Sequence, residues 1–485
     1  MNEIQAAIGD HQPALFPDPS CDVADQAAAK PAGDALFAAE ARSATPRLRL
    51  PQREQGQMFL ESHEQRVEAD HVVRTVWAFV EQVDLSPLLN DIKAVEGVRG
   101  RDANDPRILL ALWLYAAIEG VGSARQLDRL CRDHRAYQWI CGEVSVNYHT
   151  LADFRVEHGT LLDQILAQSL AGLTREGLVD INTVAQDGMR VRASAGASSF
   201  RREATLNEHL KDAADHLQTL KTEVEENPGK LDAARKAAQL RAAREKTERL
   251  EKALENVREI AASREARKPG DGAQARASST DPEARRMKMP DGGTRPAYNA
   301  QFSTATGSGI IVGVQTSNSG VDANELEPML DHIESSCGQR PKTALADGGY
   351  NTKDNIDLAH ERKIILLTPL KAEQKQLDAG KNPYTPKRGD SDAVKAYRAR
   401  MATDEAKTHY KLRGQTAEWV NAQARSSALY MLKVRGKEKV QAVLLMFALA
   451  HNLLTAKRLR AERAEREESS ANPQANPEAS TERTK

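Results

Sequence analysis

Asp187 stands in Asn182-Thr-Val-Ala-Gln-Asp187-Gly-Met-Arg, where a short run of β-branched and small apolar residues meets Asp-Gly. Asp347 stands in Thr343-Ala-Leu-Ala-Asp347-Gly-Gly-Tyr, again an apolar run that ends in Asp and then glycine. Asp-Gly after a strand is an ordinary turn, because Asp bonds its own backbone and Gly supplies a positive φ. A third carboxylate gives the pair another meaning. In Tyr410-Lys-Leu-Arg413-Gly-Gln-Thr-Ala-Glu418-Trp-Val-Asn-Ala-Gln-Ala-Arg425, the residues Leu412, Ala417, Val420 and Ala424 recur at roughly helical spacing. That spacing leaves Arg413, Glu418 and Arg425 near one another on the remaining surface. Alone, Glu418 reads as a carboxylate in surface ion pairs. With two strand-end aspartates it completes a set of oxygen ligands from separate elements, as hard divalent cations and two-metal phosphoryl transfer require.

Several elements must position these residues. After the strand of Asp187, Leu206, Leu210, Ala213, Leu217, Leu220 and Val224 repeat in steps of three and four. Asn227-Pro-Gly then breaks the pattern, and Leu240, Ala243, Thr247, Leu250, Leu254 and Val257 resume it, which predicts an inserted antiparallel coiled-coil hairpin over 202–268. Residues 269–294 are rich in Lys, Arg, Gly, Ser and Pro and read as a basic flexible linker. Beyond it, runs from Tyr298 and from Ile310 flank Gly307-Ser-Gly309 as a β-hairpin, a helix starts near Asn324, and the strand ending at Asp347 follows. A helix over 353–361 and a buried strand from Ile364 come next, so that strands and helices alternate as in an α/β sheet with helices on its faces.

The order Asp-Gly, then Ala-Asp-Gly-Gly-Tyr, then Tyr410-x-x-Arg413-x-x-x-x-Glu418 with a later cation resembles the DDE transposases of bacterial insertion sequences. The resemblance runs from about Asp70 to Arg458. It implies an RNase H-like catalytic core over 179–460 and an all-α N-terminal domain over 56–178 that binds the element's ends. It implies two Mg²⁺ ions, with Mn²⁺ able to replace them, on Asp187, Asp347 and Glu418 as catalytic and metal-binding residues. Tyr410, Arg413 and Arg425 become DNA contacts near the scissile bond, Arg425 standing where the family has Lys. The partners implied are terminal inverted repeats, target DNA and further copies of the chain in a homodimer or larger assembly. Three neighbouring carboxylates repel one another, and shared cations relieve that.

The chain has 485 residues, too many for one core, and 68 Lys plus Arg against 69 Asp plus Glu, so its net charge names no partner. Cys21, Cys131, Cys141 and Cys337 lack zinc-type spacing and read as thiols in a reducing compartment, although Cys131 and Cys141 with His134 could also be viewed as ligands. No secretory signal opens the chain, and the apolar run Val440–Asn452 reads as a buried helix, too short to cross a bilayer. The expected location is the cytoplasm, at the nucleoid. Residues 1–55, rich in Ala and Pro, read as a disordered leader, and 461–485 as a disordered tail. Within the helical part, Asp105-Pro106 and Ser123 are helix starts, Asn147 or Thr150 is another, and Tyr148-His-Thr-Leu-Ala-Asp-Phe-Arg155 suits a helix-turn-helix-like reader or a purely structural helix. Three other functions fit parts of this pattern: a silent transposase-derived DNA-binding protein, a nuclease of the same fold that cuts without joining, and a scaffold built on the hairpin.

Overall fold

The computed structural model describes residues 61–95, 102–226 and 233–471; the leader 1–55 and the turn Asn227-Pro-Gly lie outside them. Seven helices come first: α1 (Val72–Gln82), α2 (Ser86–Asn90), α3 (Pro106–Ile118), α4 (Ala124–Asp133), α5 (Arg135–Cys141), α6 (Tyr148–Glu157) and α7 (Gly159–Arg175). The starts of α1, α3, α4 and α6 follow from side chains that satisfy the first free N–H groups. The Asp105 carboxylate accepts from Arg107 N at 2.8 Å ahead of Pro106, and Ser123 accepts from Gln126 N. Between the two starts left open by the sequence, Asn147 is the cap: its Oδ1 accepts from His149 and Thr150 N–H. Helix α3 is apolar nearly all round, and Ile108 through Ala116 are buried in its interior position.

A mixed sheet follows. Its strands are β1 (Thr183–Arg192), β4 (Arg285–Lys288), β5 (Thr294–Ala305), β6 (Ile311–Ser317), β7 (Thr343–Ala346) and β8 (Ile365–Leu367); β2 (Phe200–Arg201) and β3 (Ala277–Ser278) pair separately. The path runs β4-β5-β1-β7-β8, with β6 also on β5. Strand β1 is antiparallel to β5 and parallel to β7, and β7 is parallel to β8. Helices α10 (Leu326–Cys337), α11 (Lys353–Glu361), α12 (Glu373–Asp378), α13 (Asp392–Met401), α14 (Asp404–Arg413), α15 (Trp419–Ala424) and α16 (Lys437–Ala471) complete the order. One apolar core takes in Val73 of α1, Leu112 of α3, Val184 of β1, Phe302 of β5 and Phe447 of α16.

Between β2 and β3 two long helices, α8 (Glu203–Glu226) and α9 (Ala233–Arg267), pack on each other. Leu206 and Ala213 meet Leu250, Leu254 and Val257 in a second core, and Arg258 pairs with Glu203 across it at 2.7 Å.

Three expectations are corrected. Residues 269–294 are ordered rather than flexible. Glu265 accepts from Gly270 and Gly272 N–H, the buried Asp281 accepts from Tyr298 Oη at 2.7 Å and Gly436 N at 3.2 Å, and Arg285–Lys288 pairs with β5. Hydrogen bonds and strand pairing order this segment where its composition offers little apolar surface. The last helix does not end near 460 but runs to Ala471, sustained by i to i+4 pairs such as Arg458–Glu462 and Arg463–Glu467; residues 472–485 lie outside the described part. That helix is also long and apolar enough to cross a bilayer by length and composition, although 78% of its apolar window is buried within the protein, as in a core helix.

Candidate active site

Parallel pairing of β1 with β7 builds the site. Gln186 is opposite Ala346, so the next residues, Asp187 and Asp347, stand side by side where β7 ends. Each aspartate turns its carboxylate onto its own backbone: Asp187 Oδ1 accepts from Gly188 N at 3.0 Å and Asp347 Oδ1 from Gly349 N at 2.7 Å. Asp347 stands in the Asp-Gly turn that the sequence suggests, but the expected strand end at Asp187 is corrected: β1 runs on through Asp187 and Gly188 to Arg192, because both pair with Phe302 and Gln301 of the longer β5.

Over them lies the segment that carries Glu418. It is not a uniform α-helix. After α14 the chain passes through a π-helical turn at Gly414–Glu418 and, after α15, a second at Arg425–Leu429. Each π turn adds a residue to a helical turn and re-aims the side chains that follow, a device common at functional sites. Ala417, Val420 and Ala424 face the core as their spacing predicts. Arg413 takes a central place: Nη2 is 3.2 Å from Asp187 Oδ2 and Nη1 is 3.4 Å from Glu418 Oε1. The Arg413 and Asp187 side chains are only 13% and 15% exposed, whereas that of Glu418 is 65% exposed. The guanidinium therefore lies between the inner and the outer carboxylate. Tyr410, one turn earlier on α14, is half-buried, and burial raises its phenol pKa. Arg425 is exposed at the start of the second π turn and makes no ion pair with a described residue.

One residue of the site escapes sequence reasoning. Asn421 is buried, and its Nδ2 donates to Asp187 Oδ2 at 2.9 Å. Its signal was its position four residues after Ala417 and three before Ala424, on the buried side of the segment.

Burial raises the pKa of Asp187, the negative charge of Asp347 adds to the rise, and Arg413 opposes it. Burial also works against the Arg413 cation, yet Asp187 and its neighbours hold that pKa above its ordinary value. The Asp187 shift thus comes first from burial, and the Arg413 shift from the negative charge gathered around its guanidinium. A consequence follows for stability. In the window from the ordinary 3.8 up to the raised folded value, the folded chain binds more protons at Asp187 than the unfolded chain, so this group's contribution falls as pH rises. Asp187→Asn removes that loss. In EDTA the variant is expected to lose less stability than the parent protein as pH rises through that window, and to lose any rise in Tm that Mg²⁺ confers; an unchanged pH dependence would contradict this.

The donor set suits a hard cation: carboxylate oxygens of Asp187 and Asp347, with Asn421 Oδ1 buried beside them and lacking a hydrogen-bond partner. Glu418 is held outward by Arg413, and among the described residues no three His, Cys, Asp or Glu side chains close on one point. The thiols of Cys131 and Cys141 belong to the helical core and form no such group with His134.

In the helical region Arg155, the end of the Tyr148–Arg155 run, points inward. It lies over the Trp113 ring at 4.4 Å and donates to Gly122 O at 2.7 Å, and burial lowers its pKa to about 10. Arg155 is thus a structural cation that fastens α6 to α3.

Two family models match the chain, together over more than half of its length: Transposase domain (DUF772) at residues 61–157 and Transposase DDE domain at residues 266–453. The chain belongs to the DDE transposases of insertion sequences. The second match takes in Asp347 and Glu418 of this transposase but begins after Asp187, at the last residues of α9. No curated protein and no solved structure matches it. Membership makes DNA the partner of the transposase and phosphoryl transfer its general chemistry, and transposases of this family typically use divalent metals.

Proposed function

We propose that this transposase binds the terminal inverted repeats of its element and catalyses Mg²⁺-dependent strand cleavage there, followed by joining of the freed ends to target DNA. The observation that carries the proposal is the pair Asp187 and Asp347, side by side on parallel strands with Arg413 and Asn421 gathered on Asp187. A sheet with β5 antiparallel and β7 parallel to β1, covered by helices, supports an RNase H-like core, and the packed α8 and α9 support an antiparallel coiled coil.

In this reading Asp187, Asp347 and Glu418 would hold two Mg²⁺ ions, which Mn²⁺ can replace. The ions would supply Lewis-acid stabilisation of the attacking and leaving oxygens in an in-line displacement at phosphorus. The chain's own residues do the rest. Arg413 holds Asp187 and Glu418 until DNA arrives, then contacts phosphate with its planar fork. Tyr410 and the exposed Arg425 line the same approach and contact DNA beside the scissile bond. The N-terminal helices dock the element's ends, at least two copies act together on the two ends, and the working compartment is the cytoplasm.

The test is incubation of the purified protein with a fragment bearing its element's terminal repeats and a supercoiled target, in Mg²⁺ and in EDTA. End cleavage and insertion in Mg²⁺ alone are expected. Cleavage without insertion would instead indicate a nuclease, and binding without cleavage a silent DNA-binding protein.

A further inference from the structure

Behind β1, on the face away from Arg413, lies a buried polar network that the proposed chemistry does not use. Alternation along the strand puts Gln186, Gly188 and Arg190 on that face. Asp322, in the turn before α10, is buried against it. Its Oδ1 accepts from Asn299 Nδ2 at 2.6 Å and Gln301 Nε2 at 2.9 Å, both on β5, and its Oδ2 accepts from Arg190 Nη2 at 2.8 Å. Gln301 Oε1 in turn accepts from Gln186 Nε2 at 3.2 Å and from the Tyr350 hydroxyl.

These contacts reach both aspartates' backbone segments. Gln186 precedes Asp187 and Tyr350 follows Asp347 by three residues. A Cβ at Gly188 would collide with Asp322 Oδ1 and Gln301 Nε2, and one at Gly349 would lie 3.5 Å from Asp322 Oδ2. The Asp322 carboxylate is therefore packed directly against the glycine that follows Asp187 and against the second glycine that follows Asp347. Glycine at position 188 leaves the room that Asp322 fills. Its charge is compensated by Arg190, so it holds the strand and the turn without adding an unpaired negative charge beside the site.

We propose that Asp322 is a positioning residue, which fixes the Asp187 segment of β1 and the Asp347 turn at the spacing that lets their carboxylates share a divalent cation. The proposal rests on the cation-dependent reading given above. Partners behind a ligand typically govern affinity by 10–100-fold.

The experiment is a Mn²⁺ titration of the full chain, followed by calorimetry or by the electron paramagnetic resonance of free Mn²⁺, with Asp322→Asn and Asp187→Asn in parallel. Asp322→Asn is expected to raise the Mn²⁺ Kd about tenfold or more. End cleavage should recover at high Mn²⁺, since the strand and the turn are loosened rather than disarmed; a purely structural defect would not show that rescue. Asn299→Ser removes one hydrogen bond to Asp322 without touching its charge, and a shift in the same direction but smaller is expected, which keeps the test open if Asp322→Asn does not fold. An unchanged Mn²⁺ Kd in these folded variants, with Asp187→Asn weakened, would overturn the role of Asp322 alone. A parent protein that binds no Mn²⁺, or an Asp187→Asn variant that binds it equally well, would overturn the cation site and this role with it.

Discussion

Asp187→Asn and Asp347→Asn are each expected to lower Mg²⁺-dependent end cleavage about a thousandfold or more, with end binding unchanged within about twofold. Loss of a cation that stabilises developing charge costs several kcal/mol of barrier, and each 1.36 kcal/mol is about a factor of ten in rate. Asn retains the shape of Asp, so the strand at Gly188 and the turn at Gly349 persist and the loss reports on charge. End binding should survive, because in this reading it depends on the N-terminal helices and on Arg425. Glu418→Gln tests the outer carboxylate. The same loss is expected, because the two inner carboxylates cannot hold two ions alone. Retained cleavage in Glu418→Gln, with Asp187→Asn inactive, would remove Glu418 from the site and leave its contact with Arg413 as a surface ion pair.

Arg413→Ala is expected to destabilise the protein in EDTA by about 3 kcal/mol, the scale on which removing one partner of a buried pair leaves the other uncompensated. Both side chains are mostly buried, which keeps solvent screening small. The stranded Asp187 then sits beside Asp347 with only Asn421 donating to it from outside its own strand. Its pKa rises further, so the carboxyl takes up a proton at low pH and escapes part of the penalty. The difference in Tm from the parent should therefore be wider at pH 8 than at pH 5. Mg²⁺ should return part of the lost stability in Arg413→Ala, since an ion can replace the missing cation, and Arg413→Lys should fall between the two. A pH-independent loss that Mg²⁺ does not touch would show that Arg413 acts by packing alone.

The legible features were those with local causes. Apolar runs before Asp-Gly marked β1 and β7, although β1 continues past Asp187 to Arg192, and caps such as Asp105 and Ser123 marked helix starts. Strand β4 was hidden because only Met287 of Arg285-Arg-Met-Lys is buried, so the segment looks like a run of charge. The π turns were hidden for another reason. Spacing arguments assume a uniform helical rise, and an extra residue at 414–418 shifts the register by which Asn421 reaches Asp187. The Asp322 network was beyond reach altogether, since its members come from β1, β5 and the turns before α10 and after β7, and nothing nearby in the sequence binds them together.

The placement of α8 and α9 within the sheet has a consequence for synthesis. Asp187 pairs in register with Phe302, yet the two helices and the ordered stretch after them must be made between these residues. At about 5–20 residues per second the first strand of the sheet waits on the order of ten seconds for its antiparallel neighbour. The early helices wait longer, because α3, α6 and α7 pack on α16, which is made last among the described elements. A ribosome-bound chain thus carries an exposed apolar strand and an unclosed helical layer for most of its elongation. The site is assembled late, and the half-made protein is the form most in need of chaperones.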